Sequence, residues 1–304
     1  MLSQEHPTDS HWIITAALPA FLLEVAFYLL ATFEQTRWWF ARSGSRPLQA
    51  GVLCISAIAP YLVFSLLTDT FERNAFFLLV LLTSSFAFWH VVLPRRPAYD
   101  FGFLIIAAAP LISHVFPRIY ISPDSHLRVD VLGHMMWIRV GIVALLTLRQ
   151  WNPGSFSLWP RLREWKIGAA YYLIVLIPIS ILALDLHDVR FAPVQRDPWQ
   201  VGIIAVGTFF GILWVVALGE ELFFRGVIAN ALMKIWPPLV AVSVSAILFG
   251  CAHLWFHQFP NWRRALVATV LGLACGAAYV QTGSVRAPMV THAFVVTTWR
   301  LFFQ

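Results

Sequence analysis

Long apolar runs separated by short polar segments set the pattern of this chain. They lie near residues 12–33, 48–68, 75–93, 101–117, 131–149, 167–186, 200–218, 238–256, 265–282 and 288–303. Each is close to the ~20 residues a helix needs to cross the hydrocarbon of a bilayer. Segment 220–236 is less apolar at its start and forms an eleventh candidate. The pattern predicts an all-α protein, a polytopic transmembrane helix bundle of about 10–11 hydrophobic helices. No stretch resembles a soluble second domain, and no internal repeat is evident.

The loops carry the orientation signal. Arg37, Arg42 and Arg46 lie in segment 34–47, Arg95 and Arg96 in 94–100, and Arg161, Arg163 and Lys166 in 150–166. The alternating loops are poor in basic residues or balanced in sign. The positive-inside rule then puts those three loops in the cytoplasm and the N-terminus outside, which is the cell (inner) membrane if the source is bacterial. It also favours 220–236 as a separate return helix, because a crossing there carries Arg263 and Arg264 to the basic side. The first run, from Trp12 to Phe33, is too long for the apolar part of a cleaved signal and is expected to be the first span.

Composition strengthens this picture. Of 304 residues, 59% are hydrophobic and only 12% charged, about half the charged share of a soluble domain. The formal net charge of +6 sits in short loops. It therefore points to membrane lipids as partners and not to nucleic acid. Trp12, Trp38, Trp39, Trp151, Trp159, Trp165 and Trp199 stand at run ends, as an interfacial aromatic belt requires. Cys54, Cys251 and Cys275 are odd in number and sit in apolar stretches, which speaks against a disulfide framework.

Ionisable groups at membrane depth are costly, and each is a functional candidate. The densest cluster is Gly219-Glu220-Glu221-Leu222-Phe223-Phe224-Arg225-Gly226. On a helix Glu221 and Arg225 are four apart and face each other. Glu220 points about 100° away and is left for another partner. The plainer alternative is an interfacial ion-pair cluster. A second cluster is Phe249-Gly250-Cys251-Ala252-His253. Trp236-Pro237-Pro238 reads as a turn between helices. Glu220 lies about 17 residues before that turn and His253 about 15 after it, so at 1.5 Å per residue both stand roughly 23–26 Å away. An antiparallel hairpin would bring them to one depth, where a Glu and a His can hold a water and take its proton. His292 follows near the start of the last run, and it enters from the side opposite His253 if 265–282 crosses fully. A metal alternative also exists. His253 and His257 are four apart on one helix face, and Glu220 could complete a divalent site such as zinc. The Glu of a His-Glu-x-x-His motif is absent, since Leu254 follows His253. Glu24, His90, His114, His134 and Arg139 are expected to pair within the bundle or reach an interface, with Glu24 and Arg139 a candidate pair.

Glu-Glu-x-x-x-Arg, then Phe-x-x-x-His, then a late His in an apolar helix resembles the motif order of the CAAX prenyl protease 2 and bacteriocin-processing family, known as CPBP or ABI. The resemblance covers roughly 200–304, leaving 1–199 as an N-terminal transmembrane bundle of unknown role. It implies a glutamate-type intramembrane peptidase without a cofactor. Glu220 would match the residue that activates water, His253 the one that helps hold it, and His292 the one that stabilises the oxyanion. Glu221, Arg225 and Phe249 would support the site. The family's last motif is usually His-x-x-x-Asn or His-x-x-x-Asp, whereas the fourth residue after His292 is Val296, with Thr297 next to it. The expected function is hydrolysis of a peptide or protein substrate; the family name allows a lipid-modified one without requiring it. The alternatives are a catalytically inactive membrane scaffold, which Val296 favours, and an ion-coupled transporter.

Overall fold

A computed structural model describes residues 10–123, 127–151, 159–256 and 259–303. Its helices are α1 (Ser10–Thr32), α2 (Glu34–Arg42), α3 (Arg46–Leu67), α4 (Arg73–Val92), α5 (Pro97–Ile112), α6 (Phe116–Ile119), α7 (Asp130–Leu148), α8 (Leu162–Asp185), α9 (Pro198–Leu232), α10 (Pro238–Ala252), α11 (Trp262–Thr282) and α12 (Arg286–Phe302). Seven of them, among the described residues, are long and apolar enough to cross a membrane: α1, α3, α4, α7, α8, α9 and α11. Two shorter apolar helices, α5 and α10, accompany them. No strand forms among the described residues beyond one bridge between Phe191 and Phe303. The chain is an all-α, multi-pass membrane protein.

Local chemistry sets several boundaries. Pro198 and Pro238 open α9 and α10 at first-turn positions, where their missing N–H has no helical partner to lose. Asn261 caps α11 by accepting from the Arg264 N–H at 3.1 Å. Gly283, at φ +64°, ends α11 in the left-handed conformation glycine tolerates best.

The chain forms two compact units, residues 1–151 and 152–304. In the first, Phe86 stacks on Trp137 and Phe103 with ring centres 4.0 and 4.4 Å apart. Beside them runs a buried ion pair, with Arg139 donating to both Glu24 oxygens at 2.8 and 3.0 Å. Arg139 also donates to the Ser56 hydroxyl and carbonyl at 2.8 and 3.0 Å, so the Glu24–Arg139 pairing read from sequence is present and well satisfied.

The second unit packs α8, α10, α11 and α12 tightly through small residues. A Cβ on Gly250 would overlap Thr269 and the Ala265 carbonyl, and one on Gly272 would press on Ala246 at 3.0 Å. Such close backbone approach is the usual way membrane helices associate, because lipid tails are as apolar as leucine. Thr291 of α12 donates to the Gly168 carbonyl of α8 at 2.9 Å, and Arg286 pairs with Glu164 at 2.8 Å.

Three boundaries depart from the hydropathy pattern. Runs 200–218 and 220–236 are one helix, α9, so the return helix expected at 220–236 is not formed. Two carboxylates lower local hydropathy without interrupting backbone hydrogen bonds, and in lipid a broken helix leaves those bonds unmade. Arg264 therefore lies on the side of segment 186–197, where Asp188 meets it at 3.1 Å and offsets its charge. Run 238–256 stops as a helix at Ala252, and run 101–117 as α5 at Ile112.

Candidate active site

Glu220 and Glu221 sit on α9 between two stretches of π-helix, Ile212–Ala217 and Leu222–Ala229. Single π turns inside α-helices recur at functional sites because they re-aim side chains and loosen the ladder. The second stretch is braced from α10, where the Ser245 hydroxyl donates to the Phe224 carbonyl at 2.7 Å.

The two carboxylates have different surroundings. Glu221 is fully buried. Its Oε2 lies 2.9 Å from Arg225 Nη1, and its Oε1 lies 2.8 Å from His292 Nδ1. Arg225 continues the chain, donating through Nη2 to the Gly272 carbonyl at 2.9 Å and lying 4.8 Å over the Phe249 ring. An ionised Glu221 can only accept, so His292 carries its proton on Nδ1 and turns Nε2 the other way. There Nε2 meets Glu220 Oε2 at 3.8 Å. That gap is too long for a hydrogen bond and short enough for one oxygen atom to touch both groups. Glu220 is less enclosed, with 31% of its side chain exposed, and its Oε2 accepts no hydrogen bond among the described residues.

His253 stands at the C-terminal end of α10. Its Nδ1 donates to the Phe249 carbonyl at 2.9 Å, which leaves Nε2 as the open ring nitrogen. The Phe249 ring touches both imidazoles, with centres 4.7 Å from His253 and 5.9 Å from His292.

The sequence-derived residues thus converge. Glu220, Glu221, Arg225 and His292 form one network, and His253 joins it through Phe249. The apparent mismatch in depth disappears because α10 has only 15 residues, and His292 lies six residues into α12, about 9 Å along its axis. For the metal alternative, α10 ends before His253, so 253 and 257 do not continue one helix, and His257 lies outside the described residues. A different trio, Glu221, Cys275 and His292, brings its ligand atoms within 4.8 Å of one another, with Glu221 already engaged by Arg225 and His292. Sequence reading missed Cys275, Ser245 and Gly272. Only Gly272-x-x-x-Gly276, a spacing that permits close helix approach, carried a signal.

Residues 198–298 match the family model described as "Rce1-like: Type II CAAX prenyl endopeptidase Rce1-like". Over this third of the chain the protein is similar to the Rce1-like family. The match opens on the first residue of α9 and closes within α12, enclosing every member of the network. No curated protein and no solved structure matches the chain. Against the family's usual Asn or Asp, Val296 of the Rce1-like region is half-buried and Thr297 is buried, its hydroxyl without a partner among the described residues.

Proposed function

We propose that the chain is an intramembrane endopeptidase that hydrolyses a peptide bond with a water activated by Glu220. The observation that carries this reading is the unequal pair of carboxylates. Glu221 is neutralised by Arg225 and orients His292, while Glu220 Oε2 faces His292 Nε2 across 3.8 Å with no hydrogen-bond donor among the described residues. A water in that gap gives its proton to Glu220 as its oxygen attacks the peptide carbonyl carbon. The carbonyl electron pair moves onto oxygen, where His292, in its imidazolium form with Nδ1–H held by Glu221, donates its second N–H from Nε2 to the new oxyanion. His253 holds the attacking water through Nε2. Collapse of the intermediate breaks the C–N bond, and Glu220 returns its proton to the leaving amine. The substrate is a peptide or protein segment that enters the membrane core, and the family's description suggests a lipid-modified tail. No cofactor takes part in these steps.

The test is cleavage of a peptide library by purified protein, followed by mass spectrometry. Glu220→Gln is expected to lower kcat at least 100-fold, in the range of lost general-base catalysis, with thermal stability unchanged. Full activity in Glu220→Gln would end this reading. A second reading, an inactive membrane scaffold, is favoured by Val296 in place of the family's Asn or Asp. A well-folded wild type that cleaves no member of the library, with or without added divalent metal, would support it.

A further inference from the structure

One end of the unit of residues 1–151 gathers more positive charge than it neutralises. There α3 opens with Arg46, α4 gives way to Arg95, and α7 runs out before Arg149. Arg149 is matched, donating to both Asp100 oxygens at 2.6 and 2.8 Å. Arg46 and Arg95 are not. Both donate to one acceptor, the Leu148 carbonyl, at 2.9 and 3.4 Å, so their guanidinium groups stand side by side. Arg46 also donates to the His90 carbonyl, and Arg95 to the Gln150 side-chain oxygen at 3.0 Å. Among the described residues, all the acceptors of these two arginines are neutral. The Arg46 Nε is buried without an acceptor among those residues, and Nε2 of His90, a side chain only 2% exposed, is buried without a partner beside it.

Capping explains where the arginines sit, because α4 and α7 end at these carbonyls and a helix C-terminus favours a cation. It does not balance the charge. Each helix end is worth about half a negative charge, so Arg46, Arg95 and Arg149 set against Asp100 and two helix ends leave roughly one positive charge over. The setting is a membrane interface. α2 packs beside the end of α7 and buries none of its residues. Its Trp38 and Trp39 are exposed, Arg42 lies 4.3 Å over the Trp38 ring, and Arg149 lies 5.9 Å from the centre of the Trp151 ring. Tryptophan and arginine gathered at the ends of apolar helices mark the depth of lipid headgroups.

We propose that Arg46 and Arg95 hold the phosphate of an anionic membrane lipid, a phosphodiester whose single negative charge balances the surplus. Two adjacent guanidinium groups offer the planar forks that suit phosphate oxygens. A zwitterionic lipid brings its own cation and gains little at this place. The site is independent of the endopeptidase reading, since all its residues lie outside the family match at 198–298.

The shared chemistry is a phosphate, and three probes separate its sources: dioctanoyl phosphatidylglycerol, dioctanoyl phosphatidylcholine and inorganic phosphate. Each is titrated into the purified full-length chain in neutral detergent, with tryptophan fluorescence and thermal unfolding as readouts. Phosphatidylglycerol is expected to bind saturably and at least about 10-fold more tightly than the other two, and to raise the unfolding temperature. An arginine beside an anionic headgroup is worth about 1 kcal/mol, a factor of about five. Arg46→Gln combined with Arg95→Gln is therefore expected to weaken phosphatidylglycerol binding about 25-fold, and Arg46→Lys combined with Arg95→Lys, which keeps charge and loses the forks, by less. Arg73→Gln, at the opposite end of α4, is expected to leave it unchanged. Equal affinity for phosphatidylglycerol and phosphatidylcholine, or a loss in Arg73→Gln as large as in the Gln pair, overturns the site. Inorganic phosphate binding as tightly as the anionic lipid overturns the lipid as its occupant. Should the Gln pair fail to fold with its carbonyls uncapped, Arg95→Gln alone, at an exposed side chain, carries the comparison with an expected loss of about fivefold, and no loss there overturns the site as well.

Discussion

Glu220 and Glu221 are neighbours with opposite energetic roles. Removing the charge of Glu221 leaves Arg225 buried among Phe249 and the Gly272 carbonyl with no counter-ion, which typically costs about 3–5 kcal/mol. It also frees His292 to rotate. Glu221→Gln is therefore expected to lower the unfolding temperature and abolish cleavage together. Glu220→Gln removes no buried pair and is expected to change cleavage alone. Thermal unfolding of the two variants side by side decides this, and equal losses of stability would contradict it. The same logic applies to Glu24 and Arg139. Arg139→Leu alone is expected to destabilise by about 3–5 kcal/mol, and Arg139→Leu with Glu24→Leu to regain most of it, because a buried pair costs more to break than to replace. Recovery of stability in denaturation of the double variant is the check.

Elements follow hydropathy closely where side chains are uniformly apolar and less well where chemistry intervenes. The ends of α3, α4 and α7 are close to what the apolar runs predict. The pairing of Glu221 with Arg225, and the freedom of Glu220, also follow from 3.6 residues per turn. The continuity of α9 does not, because hydropathy registers Glu220 and Glu221 as a gap while the backbone ladder runs on. Nor are the π turns legible, since hydropathy does not register the spacing of backbone hydrogen bonds. His292 reaching Glu221 depends on α10 being short, which a run of apolar residues up to Phe256 conceals. Close packing of α10 on α11 explains two glycines differently. Gly250→Ala pushes a methyl into Thr269 and the Ala265 carbonyl and is expected to cost about 1–3 kcal/mol, as overpacking does. Gly207, on α9, faces open space, and Gly207→Ala is expected to stabilise by about 0.5–1 kcal/mol through helix propensity. Opposite shifts in unfolding temperature are the expected result.

At the scale of the whole molecule, the network lies entirely inside the compact unit of residues 152–304. The family match begins later, at residue 198, and omits α8. Hydrophobic burial is a poor guide to what α8 contributes, since Val175 and Ile179 would face lipid at little cost if it were lost. Its polar ties matter more. Glu164 neutralises Arg286, whose side chain is only 5% exposed, and the Gly168 carbonyl accepts from Thr291, the residue beside His292. Without α8, α12 would lose the carboxylate beside Arg286 and the acceptor of Thr291 at the end that leads to His292. A chain beginning at residue 152 is therefore expected to unfold cooperatively and to bind peptide. A chain beginning at residue 198 is expected to unfold at lower temperature and to lose binding. Arg286→Leu should narrow that gap in stability by removing the charge α8 neutralises, while leaving the longer chain less stable than before. Equal unfolding temperatures for the two chains would mean that α8 is dispensable to the site, and an unchanged gap in Arg286→Leu would mean that its contribution comes from packing and not from charge.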